Sequence, residues 1–432
     1  MSASSNNQHT PLNLLNASIN RRTFLQKLAI STSSVALYGC GGGSSGTEAP
    51  VVVSPPPTGD IPGQVLQSGR PIQSIVIIGA GMSGLIAGYE LSQVGHTIIF
   101  LEARDRVGGR VNTILSPFSD GQFAEAGASR IPSNHTATRD YVSHFGLSLE
   151  QFYPTTDDYF QLTNNQVQRI GASSHIAQPP WAGSVNRSEY SKIVGGMSSL
   201  PNALRDILLS NIHFSSPASL VQQDNNGVTV TSSTGEMFVA DRVLCTTPIP
   251  VLGNIQFDPV LSSNKQLAMN GDYDYTESSR LYTQFSEQFW RDNNFNGWGD
   301  TDLPEEIWSP TWNQPGSTGI IQSYLRGVPA IVFDSLTPSQ QISSVHNRMR
   351  QVFPNLDDFI LTNHVYAWAD EVWTGSGYAS PTSSQEALLK TSLSTTEGRI
   401  HFAGEHASEY PGWIQGAIES GIRAAKEIHQ SA

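Results

Sequence analysis

The sequence contains very little cysteine and no recognisable metal-binding pattern. Among its 432 residues there are only two cysteines, Cys40 and Cys245. Cys40 lies at the end of a signal-like segment, and Cys245 lies in the apolar run 242–247, so a structural disulfide is excluded and Cys245 is expected to be a buried, inert thiol. The 11 histidines form no metal-ligand cluster and the sequence has no internal repeat, so no metal ion is expected.

Positive charge is also scarce. The chain carries 24 lysines and arginines against 37 aspartates and glutamates, a net charge of −13. Proteins that bind nucleic acid neutralise phosphates with basic side chains, so this composition argues against a nucleic-acid partner. The length exceeds that of a usual single domain, which predicts two intertwined domains with a sizeable core.

Near the N-terminus the hydrophobic stretch is too short for a membrane span. Leu28 to Tyr38 is weakly apolar, whereas a spanning helix needs about 20 residues. Asn20-Arg21-Arg22-Thr23-Phe24-Leu25 resembles a twin-arginine export motif, and Leu37-Tyr38-Gly39-Cys40 resembles a lipoprotein cleavage box. Residues 1–40 are therefore predicted to be an export signal. Either Cys40 becomes lipidated or a signal without lipid is removed nearby, and both alternatives place the protein in the periplasm or cell envelope.

Glycine, serine and proline dominate residues 41–70, which are predicted to form a tether between the signal and the globular body.

A dinucleotide-binding pattern begins where this tether ends. The β-branched run Ser74 to Ile78 predicts a buried parallel strand, and the glycine motif G-A-G-M-S-G follows it at once. An amphipathic helix comes next, and a second apolar strand, Thr97 to Leu101, ends at Glu102. A strand, glycine turn, helix and strand in this order form the βαβ unit that binds dinucleotides.

Each position of the motif has a physical role in that unit. Gly79 permits the tight turn, Gly81 lets backbone N–H groups approach a pyrophosphate, and Gly84 allows the helix to pack closely on the strand. Glu102 is placed to accept hydrogen bonds from ribose hydroxyls, and its charge disfavours a 2′-phosphate. A glycine-rich turn without a ligand is the alternative, and the motif alone does not separate NAD from FAD.

The residues after Glu102 separate the two cofactors. Ala103-Arg104-Asp105-Arg106-Val107-Gly108-Gly109-Arg110 resembles the extension found in flavin amine oxidases. The resemblance implies an α/β fold in which an FAD-binding Rossmann-type domain, similar to that of glutathione reductase, is interleaved with a smaller α+β substrate domain. It also implies that Arg110 contacts the FAD pyrophosphate through a bidentate fork, against the alternative of a solvated surface arginine.

The C-terminal part resembles the second FAD segment of the same family. Gly404 and Glu405 follow a strand, and Gly412 precedes a helix predicted over Ala417 to Ile428. The resemblance implies that Glu405 accepts from ribityl hydroxyls and that the helix start faces the flavin pyrimidine. Where covalent amine oxidases present a cysteine to the flavin, this sequence has Gly377, so the FAD is predicted to be non-covalent. Trp368 is expected to pack near the flavin ring, with an ordinary core tryptophan as the alternative.

By this resemblance, the FAD-binding domain comprises residues 71–128, 190–255 and 390–432, and the substrate domain comprises 129–189 and 256–389. The implied FAD contacts, which include the backbone of Ala218 at the adenine, are Gly79, Gly81, Met82, Ser83, Gly84, Glu102, Ala103, Arg104, Gly109, Arg110, Gly127, Ala128, Ser129, Arg130, Ala218, Trp368, Gly404, Glu405, Gly412, Trp413 and Ile414.

Further secondary structure is predicted from periodicity and turn residues. The pattern indicates a helix over Pro201 to Leu209 and a half-buried strand around Leu281, Thr283 and Phe285. Strands are also predicted at 218–221, 227–231, 241–247 and 319–324.

The segment from Phe123 to Pro132 narrows the resemblance to L-amino acid oxidases. It contains the pattern E-x-G-x-x-R-I-P, in which the family arginine that binds the substrate carboxylate matches Arg130. A guanidinium grips a carboxylate bidentately, which supports the match, although Arg130 has the alternatives of pairing with a protein acid or a flavin oxygen. Tyr324 matches the tyrosine that shares the carboxylate, or is a core tyrosine. Gly412 and Trp413 match the pair beside the substrate amino group.

Two departures from the family pattern affect the expected site. Arg280 stands where the family usually has a lysine that holds a water beside the flavin, and arginine reaches differently. Between Leu149 and Ser191 only about 40 residues are available where the family carries a long helical domain, so a large helical insert is excluded and a more open active site is expected.

The implied reaction is FAD-dependent oxidation of an L-amino acid by O₂, giving a 2-oxo acid, ammonia and hydrogen peroxide. A flavin monoamine or polyamine oxidase and an exported flavin-binding protein without turnover are the rival functions. The protein is expected to form a homodimer.

Overall fold

Residues 60–432 are the part of the chain that the computed structural model describes. The predicted export signal 1–40, with Cys40, lies outside the described residues, as does most of the predicted tether. Within 60–432 there is no helix with the length and apolar character needed to cross a membrane.

The helices, numbered in chain order, are α1 Met82–Gln93, α2 Thr136–His144, α3 Ala172–Ile176, α4 Ser199–Leu208, α5 Ile249–Leu252, α6 Ser263–Leu267, α7 Val328–Asp334, α8 Pro338–Val352, α9 Ser383–Ser394 and α10 Ile414–Gln430. The strands are β1 Ser74–Ile78, β2 Thr97–Leu101, β3 Thr113–Ile114, β4 Ala124–Glu125, β5 Ile131–Pro132, β6 Leu149–Gln151, β7 Asp158–Thr163, β8 Gln166–Gly171, β9 Tyr190–Ile193, β10 Ile212–His213, β11 Ala218–Gln223, β12 Val228–Ser232, β13 Met237–Ala240, β14 Arg242–Cys245, β15 Gln256–Asp258, β16 Tyr275–Thr276, β17 Ser278–Phe285, β18 Phe295–Thr301, β19 Glu306–Trp308, β20 Gly319–Arg326, β21 Ile360–Ala367, β22 Tyr378–Ala379 and β23 Ile400–Phe402.

A five-stranded parallel sheet forms the first structural layer. Its order is β10-β2-β1-β14-β23, and every neighbouring pair is parallel. Ile75 and Ile77 of β1 belong to the apolar cluster shared with α1, α4 and α10, whereas Val76 and Ile78 belong to the cluster on the opposite face. Because both faces of the strand are covered, β1 is a continuous apolar run rather than an alternating one. The predicted bounds of β1 and β2 are confirmed.

A seven-stranded mixed sheet forms the second layer, in the order β21-β17-β20-β19-β18-β7-β8. The expectation of a half-buried strand around residue 281 is wrong, because all eight residues of β17 are buried. Leu281 and Phe285 point into an aromatic-rich apolar cluster that also contains residues of α7 and α8. Tyr282 belongs to a second, smaller cluster on the other face of the strand.

The segment 149–191 contains no large helical insert, as predicted. It forms β6, the β7–β8 hairpin and the five-residue helix α3. The hairpin joins the second sheet because β7 pairs in parallel with β18. A short chain segment thus extends a sheet where the family pattern has a helical domain.

The two sheets are built from interleaved stretches of sequence. All strands of the parallel sheet fall inside 71–128, 190–255 and 390–432, and all strands of the seven-stranded sheet fall inside 129–189 and 256–389. The predicted tether 41–70 needs correction at its end, because residues 60–70 lie against the folded body. Asp60 pairs with Lys426 at 2.8 Å, and the backbone N–H of Gly63 donates to Glu90 at 2.8 Å.

Cys245 ends β14 in the middle of the parallel sheet, and burial raises the pKa of its thiol. We expect the full chain carrying Cys40→Ser to show no reaction with an aromatic disulfide reagent while folded. The same protein should react with one equivalent after unfolding in guanidinium, because the protonated, inaccessible thiol then becomes exposed. Stoichiometric labelling of the folded protein, followed by absorbance, would contradict this burial.

Candidate active site

A large cavity lies between the carboxyl ends of the parallel strands and the face of the seven-stranded sheet. It encloses about 2070 Å³ of space not filled by protein atoms, a volume that includes the part open to solvent. Its lining runs from the glycine turn at Gly79 to Tyr324 of the second sheet, so one cavity joins the predicted cofactor and substrate residues. Apart from Gly84, every predicted cofactor and substrate residue lines it.

The glycine turn has the geometry expected at a pyrophosphate. Gly79 has a φ of +100°, which favours glycine. A Cβ on Gly84 would lie 2.1 Å from the backbone oxygen of Gly79, so this glycine serves close packing behind the cavity wall. A Cβ on Gly81 would meet nothing within 4 Å, and the start of α1 has no side-chain cap. The open space and the uncapped N–H groups fit a dinucleotide phosphate.

Glu102 is tied to the same turn. Its Oε2 accepts from the backbone N–H of Ala80 at 2.7 Å, and its Oε1 accepts from that of Arg104 at 2.8 Å. Burial raises the pKa of this carboxyl, and the two backbone hydrogen bonds oppose the shift. Each carboxylate oxygen can accept a second hydrogen bond, so the predicted ribose contact stays compatible with the geometry. Arg104 itself is turned to Glu371, at 2.9 Å.

Arg110 and Glu405, predicted separately in two FAD motifs, form an ion pair with each other. Arg110 Nη1 lies 2.7 Å from Glu405 Oε1 and also donates to the backbone oxygen of Gly377 at 3.1 Å. Glu405 Oε2 accepts from the N–H of Gly412 at 2.6 Å. Burial acts to raise the pKa of Glu405, but the charge of Arg110 and the hydrogen bonds from Gly412 and Arg110 outweigh it and hold the pKa below its usual value.

This ion pair limits what Glu405 can do for a cofactor. Three protein donors already use its oxygens, since the N–H of Ala379 also donates to Oε1 at 3.3 Å. A carboxylate has about four acceptor positions, so only about one remains for a ribityl hydroxyl. Contacts of Arg110 with the FAD pyrophosphate and of Glu405 with the ribityl chain therefore stay predictions. In the structure, the two residues join the two FAD motifs.

The segment after β4 packs closely against the backbone of Arg110 and against Trp368. A Cβ on Gly127 would lie 1.8 Å from the backbone oxygen of Arg110. Trp368 lies against this segment, with its Nε1 donating to the backbone oxygen of Ala126 at 2.9 Å. Trp368 is buried and lines the cavity, which fits its predicted place beside a flavin ring.

On the opposite wall, polar residues form a row across four strands of the second sheet. Tyr366 of β21 pairs with Arg280 of β17, and Glu306 of β19 pairs with Tyr324 of β20. The register of β17 with β20 places Arg280 opposite Tyr324, and the guanidinium carbon lies 4.7 Å from the tyrosine ring centre. Side chains in one row share a face, so all four lie on the same side of the sheet.

Arg130 reaches the end of this row and forms an ion pair there. Its Nη2 lies 2.5 Å from Glu306 Oε2, while its buried Nε donates to no acceptor within residues 60–432. Burial acts to raise the pKa of Glu306, but the Arg130 charge lowers it, and the acid charge raises the pKa of Arg130 despite burial. Phe152 and Trp308 flank the guanidinium, each with a ring centre 5.1 Å away. The structure thus shows one of the alternatives raised from the sequence, in which Arg130 pairs with an acidic side chain of the protein.

Arg280 is a buried cation of a different kind. It is 4% exposed, donates to the backbone oxygen of Glu125, and has no carboxylate within ion-pair distance in the described part of the chain. Burial raises the pKa of the Glu125 side chain to about 7, although Met197 and Thr113 donate hydrogen bonds to it. The nearby acid is therefore only partly ionised at neutral pH and compensates Arg280 incompletely.

Tyr324 lines the cavity beside these cations. Its ring also lies 5.3 Å from the guanidinium of Arg326, and its hydroxyl makes no hydrogen bond to another described residue. A free phenol hydroxyl directed at a cavity fits a ligand contact better than a core role.

Several lining residues were not predicted from the sequence. Arg326 follows Tyr324 by two positions on one strand, and alternation would have placed it on the same face. Thr246 and Thr247 follow β14, and the rule that ligands bind at the carboxyl ends of parallel strands would have found them. Trp181 had no signal, because it comes from an irregular loop.

Comparison with known proteins agrees with this site. The profile of the family described as flavin-containing amine oxidoreductase matches residues 82–186 and 170–429. The chain therefore belongs to the flavin-containing amine oxidoreductase family, and FAD is its cofactor.

The similar curated proteins and solved structures carry names from two enzyme classes. An L-amino-acid oxidase from Vipera ammodytes ammodytes is 25% identical, with 83% of this chain and 93% of the relative covered. A putative L-amino-acid oxidase, YobN, from Bacillus subtilis (strain 168) is 26% identical, with 82% and 94% covered. Wild-type putrescine oxidase bound to putrescine has a TM-score of 0.72 at 18% identity, covering 83% of this chain and 99% of that one. Cyclohexylamine oxidase from Brevibacterium oxydans IH-35A has a TM-score of 0.72 at 16% identity, covering 84% and 99%.

Gly81 provides a direct test of the cofactor site. We expect Gly81→Val to leave the fold intact but to weaken FAD binding by about tenfold or more, because the new side chain enters the space where a pyrophosphate approaches. Gly171→Val is the matched control, since a Cβ at Gly171 also meets nothing within 4 Å and the residue is the exposed last residue of β8. Flavin content and circular dichroism of both purified variants are the measurements. A Gly81→Val protein with full flavin content would place the pyrophosphate elsewhere.

Proposed function

We propose that this protein oxidatively deaminates L-amino acids, with O₂ as the electron acceptor. The observation that carries the proposal is the charge of the cavity wall. Five arginines line the cavity, and three of them, Arg130, Arg280 and Arg326, lie at the wall formed by the seven-stranded sheet. Arg130 pairs with Glu306, and Arg326 pairs with Glu305 at 2.6 Å. Arg280 has no paired carboxylate among the described residues. The wall thus carries excess positive charge, which favours a substrate with a carboxylate.

The chain's own residues would act by holding the substrate. Arg130, through its free Nε, and Tyr324, through its free hydroxyl, offer donors to the two oxygens of an α-carboxylate. The ion pair with Glu306 fixes the Arg130 guanidinium before substrate arrives, which lowers the ordering cost of binding. Bound FAD would supply the hydride acceptor for Cα oxidation. The resulting imino acid hydrolyses in water to a 2-oxo acid and ammonia, and O₂ is reduced to hydrogen peroxide.

A flavin amine oxidase is the second candidate, and one observation favours it. Glu306 neutralises Arg130 in the absence of substrate, so this arginine is not an unpaired anion receptor. The relatives named as L-amino-acid oxidases support the first candidate, whereas the solved structures named as putrescine and cyclohexylamine oxidases support the second.

Comparison of an amino acid with its decarboxylated amine separates the two candidates. We expect peroxide release from L-phenylalanine with a kcat/KM at least about tenfold above that of phenethylamine, because only the amino acid supplies a carboxylate. A preference for the amine would reject the amino-acid proposal. No peroxide from any member of an amino-acid and amine panel would favour a flavin-binding protein without turnover.

The same assay identifies the arginine that takes the carboxylate. The double variant Arg130→Met, Glu306→Gln removes both charges of the pair and so leaves no lone buried charge. We expect it to lower kcat/KM for phenylalanine about 10²-fold or more, and to change kcat/KM for phenethylamine by less than about threefold. Arg280→Met is the direct comparison, and Arg70→Met, an exposed arginine outside the cavity, is the control. Equal losses for the acid and the amine would contradict a carboxylate role for Arg130.

We also propose export through the twin-arginine route to the periplasm or cell envelope. The proposal rests on the motif at Arg21 and Arg22 and on the cleavage box at Cys40, all outside the described residues. Replacing Arg21 and Arg22 by lysine should retain yellow, folded protein in the cytoplasm, as cell fractionation would show. Release of a Cys40→Ser variant from the membrane fraction would indicate lipidation, and wild-type export of the double-lysine variant would reject the route.

A further inference from the structure

The loop 178–187 occupies part of the position where a helical domain was excluded. It connects α3 to the strand β9 and is stiffened by Pro179 and Pro180, whose rings fix the backbone φ. The side chain at its centre is Trp181, which lines the cavity and is 38% exposed. A large aromatic ring that faces both the cavity and solvent lies at the mouth of the cavity.

The loop is held in place by a buried arginine. Arg187 donates through Nη1 to the backbone oxygen of Pro179 at 3.2 Å and through Nη2 to Asp300 Oδ2 at 3.1 Å. Its own N–H donates to the backbone oxygen of Gln178 at 3.1 Å. The hydroxyl of Ser184 donates to the backbone oxygen of Trp181 at 2.8 Å. The loop is thus tied to β18 of the second sheet and closed on itself, which gives the tryptophan a defined position.

The Trp181 ring faces the substrate end of the cavity. Its centre lies 6.0 Å from that of Trp413, with 36° between the ring planes, and 5.9 Å from that of Tyr190. The guanidinium carbon of Arg130 lies 6.0 Å from the same ring. Trp181 therefore joins Trp413 and Arg130, two of the predicted substrate residues, although it comes from the shortened segment.

We propose that Trp181 determines side-chain specificity, by forming with Trp413 an aromatic wall that selects substrates with a large planar apolar side chain. The inference rests on the proposed oxidation of an amino acid or amine. A substrate whose carboxylate lies near Arg130 extends past the two indoles. An aromatic side chain there would contact the indoles, and such a pair contributes about 0.5–1.5 kcal/mol of binding free energy beyond that of the buried area. A methyl side chain does not reach them.

The test compares substrates that differ only in side-chain size. Wild-type holoenzyme should prefer L-phenylalanine to L-alanine. Trp181→Ala should lower kcat/KM for phenylalanine about tenfold, mainly through KM, and change that for alanine by less than about twofold. Trp181→Phe should restore most of the phenylalanine activity. Leu361→Ala, which removes an exposed apolar side chain outside the cavity, is the control and should change neither value.

A binding measurement keeps the test independent of turnover. 3-Phenylpropanoate and propanoate are phenylalanine and alanine without the amino group, so they bind without being oxidised at that carbon. Titration followed by flavin absorbance should show about tenfold weaker binding of 3-phenylpropanoate to Trp181→Ala, with propanoate unchanged. An equal loss of binding affinity for both acids, or no loss of affinity for either, would overturn the inference.

The two proposals fail in distinguishable ways. If phenethylamine is oxidised better than phenylalanine, the amino-acid function fails, and the Trp181 inference is then tested on phenethylamine against ethylamine. If phenylalanine is the better substrate but Trp181→Ala lowers kcat/KM equally for phenylalanine and alanine, the amino-acid function stands and the specificity role of Trp181 fails.

Discussion

The ion pair between Arg110 and Glu405 is the contact on which the architecture of the site depends. The two residues are 295 positions apart in the chain, and each belongs to a different cofactor motif. Glu405 also holds the N–H of Gly412, immediately before the helix α10, and Arg110 holds the backbone oxygen of Gly377. One partly buried charged pair therefore joins the segment that ends at Arg110, the turn before the last helix and the segment at Gly377. Breaking such a pair by removing one partner leaves a buried charge, which costs several kcal/mol.

The two walls of the cavity differ in chemical character. The wall formed by the parallel sheet supplies backbone N–H groups and glycines, which suit phosphate and ribose. The wall formed by the seven-stranded sheet supplies Arg280, Tyr324 and the Arg130–Glu306 pair, surrounded by Trp308 and Phe152. Aromatic faces near a guanidinium lower the local dielectric constant and strengthen its interaction with an anion. This separation lets one cavity hold a polar cofactor and orient a small substrate.

The sequence alone predicted much of the fold and about half of the residues that line the cavity. The apolar run of β1, the glycine turn and the start of α1 are local patterns, and the structure has them at the predicted positions. Periodicity misjudged β17, because alternation of residue size does not reveal that the second face is covered by another part of the chain. The Arg130–Glu306 and Arg110–Glu405 pairs were not predicted, since residues far apart in sequence give no local signal of their contact. Trp181 was missed for the same reason.

By itself, the sequence determined the cofactor class, because a dinucleotide is bound through backbone geometry that glycine spacing imposes over a few residues. It also predicted a non-covalent flavin, since Gly377 stands where covalent amine oxidases present a cysteine. Only the tertiary structure decided which charges meet and which remain unpaired, because ion pairing depends on distances between segments of different sheets. It left Arg280 without a carboxylate partner in residues 60–432 and brought an irregular loop over the cavity mouth, where packing and burial, rather than local pattern, fix the position of each side chain.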